Sequence, residues 1–530
     1  MAARVDQRAA KAAGAAALFL AAFVVAAPVL AVLASLVAPY GETIRHVAAT
    51  VGFSYIAGTL LLCLGVGALA GAIGVAGALL TTVCEFPFRR MLSFALVLPL
   101  AAPSYIVAYA YGDLLGPFGA LAPLAEVLAP IGLPPIKSLA GAVFVLALSL
   151  YPYAYLTTRA AVAARSAATL EAARMLGAPP FAACIRLLVP LSRPALAGGV
   201  ALIMMETAAE FGVADYFGVA TLSVGIFRTW HSFGDLAAAT QLAAALFLFA
   251  AVLVAFEMLS RQGRISDDAR RQTAAPRIRL RGAAACAASL ACAAPAALGF
   301  VIPAMTIAAK ALSPNDPPAI GGLADAISNS AMIASLGAAV TLATALAFSY
   351  AGRGRPGVVG KGVVRVATLG YAAPGAVIAI GILTVFSAVA SLTGIGALAA
   401  SGPLALTYAY CVRFLTAGYN ATSAGLAQVS TAIDSAARNL GASPMRLVAA
   451  IHAPLLRRSI LAAATIVFVD IIKELPATLI LRDFNFETLA TRVYRLAGDE
   501  RLAEAAPAAL LLIALSAAPM LFFNAVEERR

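Results

Sequence analysis

Charged residues are scarce in this chain. They make up 12% of its 530 residues, about half the share carried by ordinary soluble domains. Histidine occurs three times, at His46, His231 and His452, too far apart in sequence to suggest a shared metal site. The six cysteines (Cys63, Cys84, Cys184, Cys286, Cys292 and Cys411) include no CxxC pair, so neither a disulfide framework nor a thiolate site is suggested. A phosphate-cradling loop of the form G-x-x-x-x-G-K-[ST] is also missing. The nearest string, around Gly360-Lys361, has Arg355 at the first glycine position and Gly362 in place of serine or threonine. No cofactor is therefore expected on this chain, and no nucleophile–base cluster points to a membrane-embedded enzyme.

What is abundant is apolar. Hydrophobic residues make up 62% of the chain, and they come in blocks of about 20 or more, the length a helix needs to cross a bilayer. The pattern predicts an all-α polytopic membrane protein with spans near 14–38, 55–82, 91–112, 138–160, 194–214, 236–259, 283–311, 328–351, 364–390, 403–425, 459–481 and 505–525. Arg4, Arg8 and Lys11 precede the first block. Its apolar run is too long for a secretory signal, so it reads as a retained helix. With the N-terminus placed in the cytoplasm, the cytoplasmic segments hold 26 Lys and Arg and the opposite side holds 8. That bias predicts both termini inside. The net charge of +12 is cut into short inter-helix loops, which argues against nucleic acid as a partner.

The chain repeats itself. AARMLGAPP (172–180) returns as AARNLGASP (436–444), a shift of about 264 residues. Ala101-Ala102-Pro103 returns as Ala372-Ala373-Pro374, and Phe227-Arg228 as Tyr494-Arg495. This reads as two homologous six-helix halves, 1–260 and 283–530, joined by a basic cytoplasmic linker, 261–282. Six is even, so the halves share one orientation and should be related by a pseudo-twofold along the membrane normal.

Both repeated segments fall in cytoplasmic loops between the fourth and fifth helices of their halves. They read EAARMLGAPPFAACIRLLVPL (171–191) and SAARNLGASPMRLVAAIHAPL (435–455). In each, the alanine run should form a short helix, the glycine should end it, and a second short helix should lead to a proline at the next span. Each segment resembles the EAA signature of permeases in binding-protein-dependent ABC importers. The resemblance implies that Glu171, Ala172, Ala173, Gly177 and Pro190, with Ala436, Ala437, Gly441 and Pro454, couple the chain to a cytoplasmic ATP-binding subunit, two copies being natural. The second copy departs from the signature, with Ser435 in the place of Glu171 and Asp434 one position off.

Three further strings, LPLAAPSYIVAYAY (98–111), ETAAEFGVADYFGVATLSVGIFRTW (206–230) and KELPATLILRDFNFETLATRVYRLAGDERLAEAA (473–506), resemble the fused ferric-iron permeases. That likeness implies a bacterial inner-membrane protein importing iron(III) handed over by a periplasmic binding protein. Permeases for thiamine, phosphonates or polyamines share the architecture or the coupling signature, and a secondary transporter of the major facilitator type remains a more distant alternative.

The residues add a hint of their own. Glu206 and Glu210, four apart on the fifth span, match Asp470 and Glu474 on the eleventh. Carboxylates in spans usually face a pathway or the bundle interior, and hard oxygen ligands suit a hard cation. Asp215, just beyond, is a further candidate for that path, although no tight metal site is expected, since it would trap the ion. The alternative is structural: helix caps, or neutralisation by Lys473. Tyr105, Tyr109 and Tyr111 read as interfacial anchors, and Arg228 and Arg495 as outward-facing arginines within reach of a binding protein.

Overall fold

The computed structural model describes residues 2–117, 119–123, 134–175, 177, 184–261, 277–313, 321–354, 370, 373–394 and 402–528. Helices dominate it. In chain order they are α1 (Ala2–Ala34), α2 (Phe53–Val83), α3 (Arg89–Ala95), α4 (Ser104–Leu114), α5 (Leu139–Met175), α6 (Val189–Ala209) and α7 (Gly212–Tyr216). Then follow α8 (Leu222–Phe233), α9 (Leu236–Arg261), α10 (Ala283–Ala296), α11 (Ile302–Ala311), α12 (Leu323–Gly354), α13 (Gly375–Thr393) and α14 (Pro403–Ala427). The last are α15 (Thr431–Asn439), α16 (Ala453–Ile472), α17 (Pro476–Leu481), α18 (Leu489–Gly498) and α19 (Leu502–Glu528). Two short strands, β1 (Cys84–Glu85) and β2 (Ile278–Arg279), pair in parallel.

Among the described residues nine helical segments are long and apolar enough to cross a membrane, or ten if one bent pair counts as a span. The fold class is thus the all-α polytopic one that the sequence predicts. Differences from the twelve expected spans have chemical causes. The third, 91–112, is not straight: Arg89–Ala101 and Ser104–Leu114 meet at 93°. Pro103 follows Ala102, whose backbone is extended at ψ 120, as the residue before a proline prefers. The tenth and eleventh exist as α14 and α16 but fall outside those ten. Helix α14 carries Arg413 and a series of threonines, and α16 carries Arg457, Arg458 and Asp470.

The chain forms two compact units, and they are a different partition from the sequence halves. One unit comprises Met1–Ile44, Thr229–Ala244 and Gly322–Thr491. Its α12, α14 and α16 pack closely through small residues. Gly418 lies against Ala345, a β-carbon on Gly425 would collide with Ser459, and Ser349 and Thr422 share a hydrogen bond of 2.9 Å. Helix α1 joins this unit by packing on α13. Gly381 sits against the carbonyl of Pro28, where any side chain would clash, and Tyr408 donates to the carbonyl of Val24. Val25, Val29 and Val32 of α1 are buried, while Phe19, Leu20 and Phe23 are exposed, which suits a helix with one face toward lipid.

The other unit comprises Arg45–Arg228, Ala245–Gly321 and Arg492–Arg530. Here α2 packs on α5 and α6. Gly74 meets the backbone of Tyr155, and Gly67 and Gly71 face Met204 and Val200. Tyr111 donates to the carbonyl of Leu298 at 2.7 Å. Glu85 of β1 receives Arg89 at 3.1 Å and Arg277 at 3.5 Å, and its carbonyl accepts from Leu280 at 3.0 Å. That contact anchors the end of the linker.

Similar hydrogen bonds stand at positions that the sequence repeat pairs. Ala102 N–H donates to Pro99 at 3.1 Å, and Ala373 N–H to Gly370 at 3.2 Å. Leu222 N–H donates to the Thr59 hydroxyl at 2.9 Å, and Leu489 N–H to the Ser330 hydroxyl at 2.7 Å.

Candidate functional site: the two loops and the acidic residues

The loops at 164–193 and 429–457 differ in build. In the first, the alanine run does not form a separate helix. It continues α5 to Met175, so the backbone of Glu171, Ala172 and Ala173 lies on the last turns of a 37-residue helix. Their side chains, and residues 178–183, lie outside the described residues. Gly177 turns the chain at φ 78 and is exposed. Pro190 stands at the start of α6, half-buried.

The second loop has the separate helix. Ser430 caps α15, accepting from Ala432 N–H at 3.2 Å, a standard way to satisfy a helix start. At the other end, Gly441 N–H donates to Arg438 at 3.0 Å and Ala442 N–H to Ala437 at 3.0 Å. With Gly441 at φ 81, this is the paired closure in which a left-handed residue ends a helix. Ala436 is exposed, whereas Ala437 is buried. The expected second short helix is not separate: 444–472 is one helical run, with a wide π-type turn at Leu447–His452 and exposed Pro454 opening α16.

Asp434 is 6% exposed and points inward. Its Oδ2 accepts from Arg353 Nε at 2.8 Å, and its Oδ1 from Arg353 Nη2 at 3.1 Å. His452 Nε2 lies 2.9 Å from Oδ1, and the His452 ring stacks on Tyr350. The hydrogen bonds from Arg353 hold the Asp434 carboxyl below the usual carboxylate range, against the opposing effect of burial, with His452 adding to the lowering. Asp434 is therefore not a displaced stand-in for the glutamate missing at Ser435. Arg353 and His452 had no signal of their own in the sequence, because the partners of Asp434 lie 81 and 18 positions away.

The acidic pairs do not share helix faces as their spacing suggested. Helix α6 ends at Ala209, and Glu210 is extended at ψ 126. Helix α16 ends at Ile472, before Glu474. Both glutamates instead open the next short helix. Glu210 Oε1 accepts from Val213 N–H at 3.2 Å, and Glu474 Oε1 from Ala477 N–H at 3.2 Å. Their other partners differ. Ser104 donates to Glu210 at 2.7 Å. At the repeat equivalent of Ser104 stands Gly375, where a β-carbon would collide with Glu474 and Arg413. Arg413 Nη1 lies 3.6 Å from Glu474, whose side chain is 2% exposed.

Glu206 is half-buried on α6. Asp470 pairs with Lys473 at 2.9 Å. Asp215 accepts from Tyr494 at 2.8 Å and pairs with Arg228 at 3.4 Å. Tyr105, Tyr109 and Tyr111 are buried rather than turned to a membrane interface, and Tyr109 packs edge-on to Tyr216 at 4.6 Å.

Residues 324–530 match the family of binding-protein-dependent transport system inner membrane components. An Fe(3+)-transport system permease protein of Haemophilus influenzae is 23% identical over 471 residues, covering 87% of each chain. A Salmonella choleraesuis protein named for a 2-aminoethylphosphonate transport system permease is 28% identical over 184 residues, 33% of this chain and 63% of that one. The repeated loops, the multiple apolar helices and the likeness along most of the length agree. The chain resembles ferric-iron permeases along most of its length, its residues 324–530 match the inner membrane components of binding-protein-dependent transport systems, and its described residues include nine helical segments long and apolar enough to cross a membrane.

Proposed function

We propose that this chain is the translocating subunit of an ATP-driven importer and that its cargo is iron(III), delivered by a periplasmic binding protein. One observation carries the importer reading: two loops at equivalent places each turn at an exposed, left-handed glycine, Gly177 and Gly441. Such a turn presents a helix end on the surface, where an ATP-binding subunit, one copy per loop, would dock and drive alternation. ATP hydrolysis then belongs to that partner. Both termini lie in the cytoplasm, as the Lys and Arg bias of the loops implies, and the twelve-span count follows from the repeat.

The cargo assignment is supported by the similarity over 87% of the chain to a protein named for Fe(3+) transport. Oxygen chemistry agrees with it. Glu206 and Asp470, at equivalent repeat positions and half-buried, are the carboxylates we assign to easing a hard cation's passage. Glu210, Glu474 and Asp215, engaged in caps and pairs, shape the route beside them, and Asp470 is itself paired with Lys473. A second reading, a phosphonate cargo, is favoured by the shorter match to the phosphonate-system protein.

Uptake of radiolabelled ferric iron in cells lacking this chain, and in the same cells with it restored, tests the proposal. Uptake of 2-aminoethylphosphonate and thiamine is measured alongside. Loss and rescue of iron uptake alone is expected. Unaffected iron uptake with lost phosphonate uptake would transfer the assignment to the second reading.

A further inference from the structure

We infer that the two ATPase-docking loops are mechanically inequivalent, and that Arg353, Asp434 and His452 are positioning residues setting the attitude of the second docking helix, α15. This rests on the proposed docking of an ATP-binding subunit at the loops.

The guanidinium of Arg353 serves four acceptors at once. It holds both oxygens of Asp434, on α15, and also donates from Nη1 to the carbonyl of Leu426 at 2.6 Å and from Nη2 to that of Val429 at 2.8 Å. Those carbonyls close the end of α14 and the connection to α15. His452 reaches the same carboxylate from the turn that opens α16, and Tyr350 of α12 covers its ring. One buried carboxylate thus ties α15 to α12, α14 and the start of α16. Beside it, Leu426, Val429 and Leu456 form an apolar cluster with Tyr350 and Ile460. A planar, permanently charged fork is the side chain suited to such multidentate work, and lysine cannot reproduce it.

The sequence of the first loop has no counterpart of this carboxylate and imidazole. At the positions 264 residues earlier, Asp434 corresponds to Leu170 and His452 to Leu188. That loop has the acidic Glu171 at the signature position, where the second has exposed Ser435. The second loop spends its carboxylate inward, so its helix is held by its own chain. The first keeps a carboxylate in the signature, and its helix is the tail of α5. Motion of an ATP-binding subunit should therefore pass through α15 as a rigid push on α12, α14 and α16 together.

The test uses the full complex with its ATP-binding subunit and binding protein in vesicles, with ferric iron as cargo. Ser435→Cys cross-linking to the ATP-binding subunit reports docking, and ATP hydrolysed per ion imported reports coupling. Arg353→Lys and Asp434→Asn should keep the cross-link. They should raise the ATP cost per ion about threefold or more, within the range by which residues of a coupling network act. Should either variant fold poorly, Arg353→Met with Asp434→Leu, which gives position 434 the leucine found at Leu170, serves instead, since a buried ion pair can be replaced by packed apolar groups at little cost in stability. It should fold, cross-link and still waste ATP. An unchanged ratio with the cross-link intact would overturn the positioning role. Absence of the cross-link in the otherwise unaltered protein would instead bring down the docking reading, and the inference with it.

Discussion

Single residues carry the asymmetry between the repeats. Glu210 and Glu474 cap corresponding helices with the same 3.2 Å bond, yet one is balanced by a serine hydroxyl and the other by a guanidinium. Breaking the two contacts should therefore have unequal effects. Ser104→Ala deletes one hydrogen bond, worth about 1 kcal/mol. Glu474→Ala strands Arg413 as an uncompensated cation and should cost roughly 3–5 kcal/mol. Thermal unfolding of the purified variants in detergent checks the difference, and equal losses would contradict the assigned pairing. Gly375→Ser, which copies the first repeat into the second, should also destabilise, because its β-carbon has no room beside Glu474 and Arg413.

At the scale of elements, α15 shows what sequence could and could not convey. The glycine at its end was legible, because a helix that stops at a left-handed turn asks for a residue without a β-carbon. Gly441→Val should cost about 1–2 kcal/mol locally and loosen the link between ATP hydrolysis and import, with Gly177→Val acting the same way. Transport with unaltered ATP consumption in both variants would remove the glycines from the coupling path. The clamp behind α15 was not legible, since Arg353, Asp434 and His452 become neighbours only when three helices pack. Nor was the fate of the acidic pairs. Four-residue spacing implies a shared face only while the helix continues, and both helices stop short of the second glutamate.

The clamp also has a pH signature. The folded state holds the Asp434 carboxyl below its ordinary value, so its contribution is fully present above the unfolded value of about 3.9. It fades as pH falls through the lower folded value. Protection of residues 431–439 against hydrogen exchange, taken relative to the intrinsic rate at each pH, should accordingly hold from pH 7 to about 5 and fall only below about 4. Release of α15 near neutrality would contradict this account.

For the whole molecule, the apolar blocks announced a polytopic chain and the repeat predicted two related halves, but the packing of α1 was hidden. Its own sequence half is 1–260, whereas its contacts are with α13. Residues 277–530 expressed alone should therefore be degraded. Co-expression of 1–261 should stabilise them, and co-expression of 41–261, which lacks α1, should not. Equal rescue by both fragments would show α1 to be dispensable.

The contact between Pro28 and Gly381 also bears on biosynthesis. Helix α1 leaves the ribosome well before α13, and the surface it fits is translated some 350 residues later. At a synthesis rate of about 5–20 residues per second the helix waits roughly 20–70 s in the bilayer. Through that interval its buried valine face has only lipid, or a membrane chaperone, to rest against.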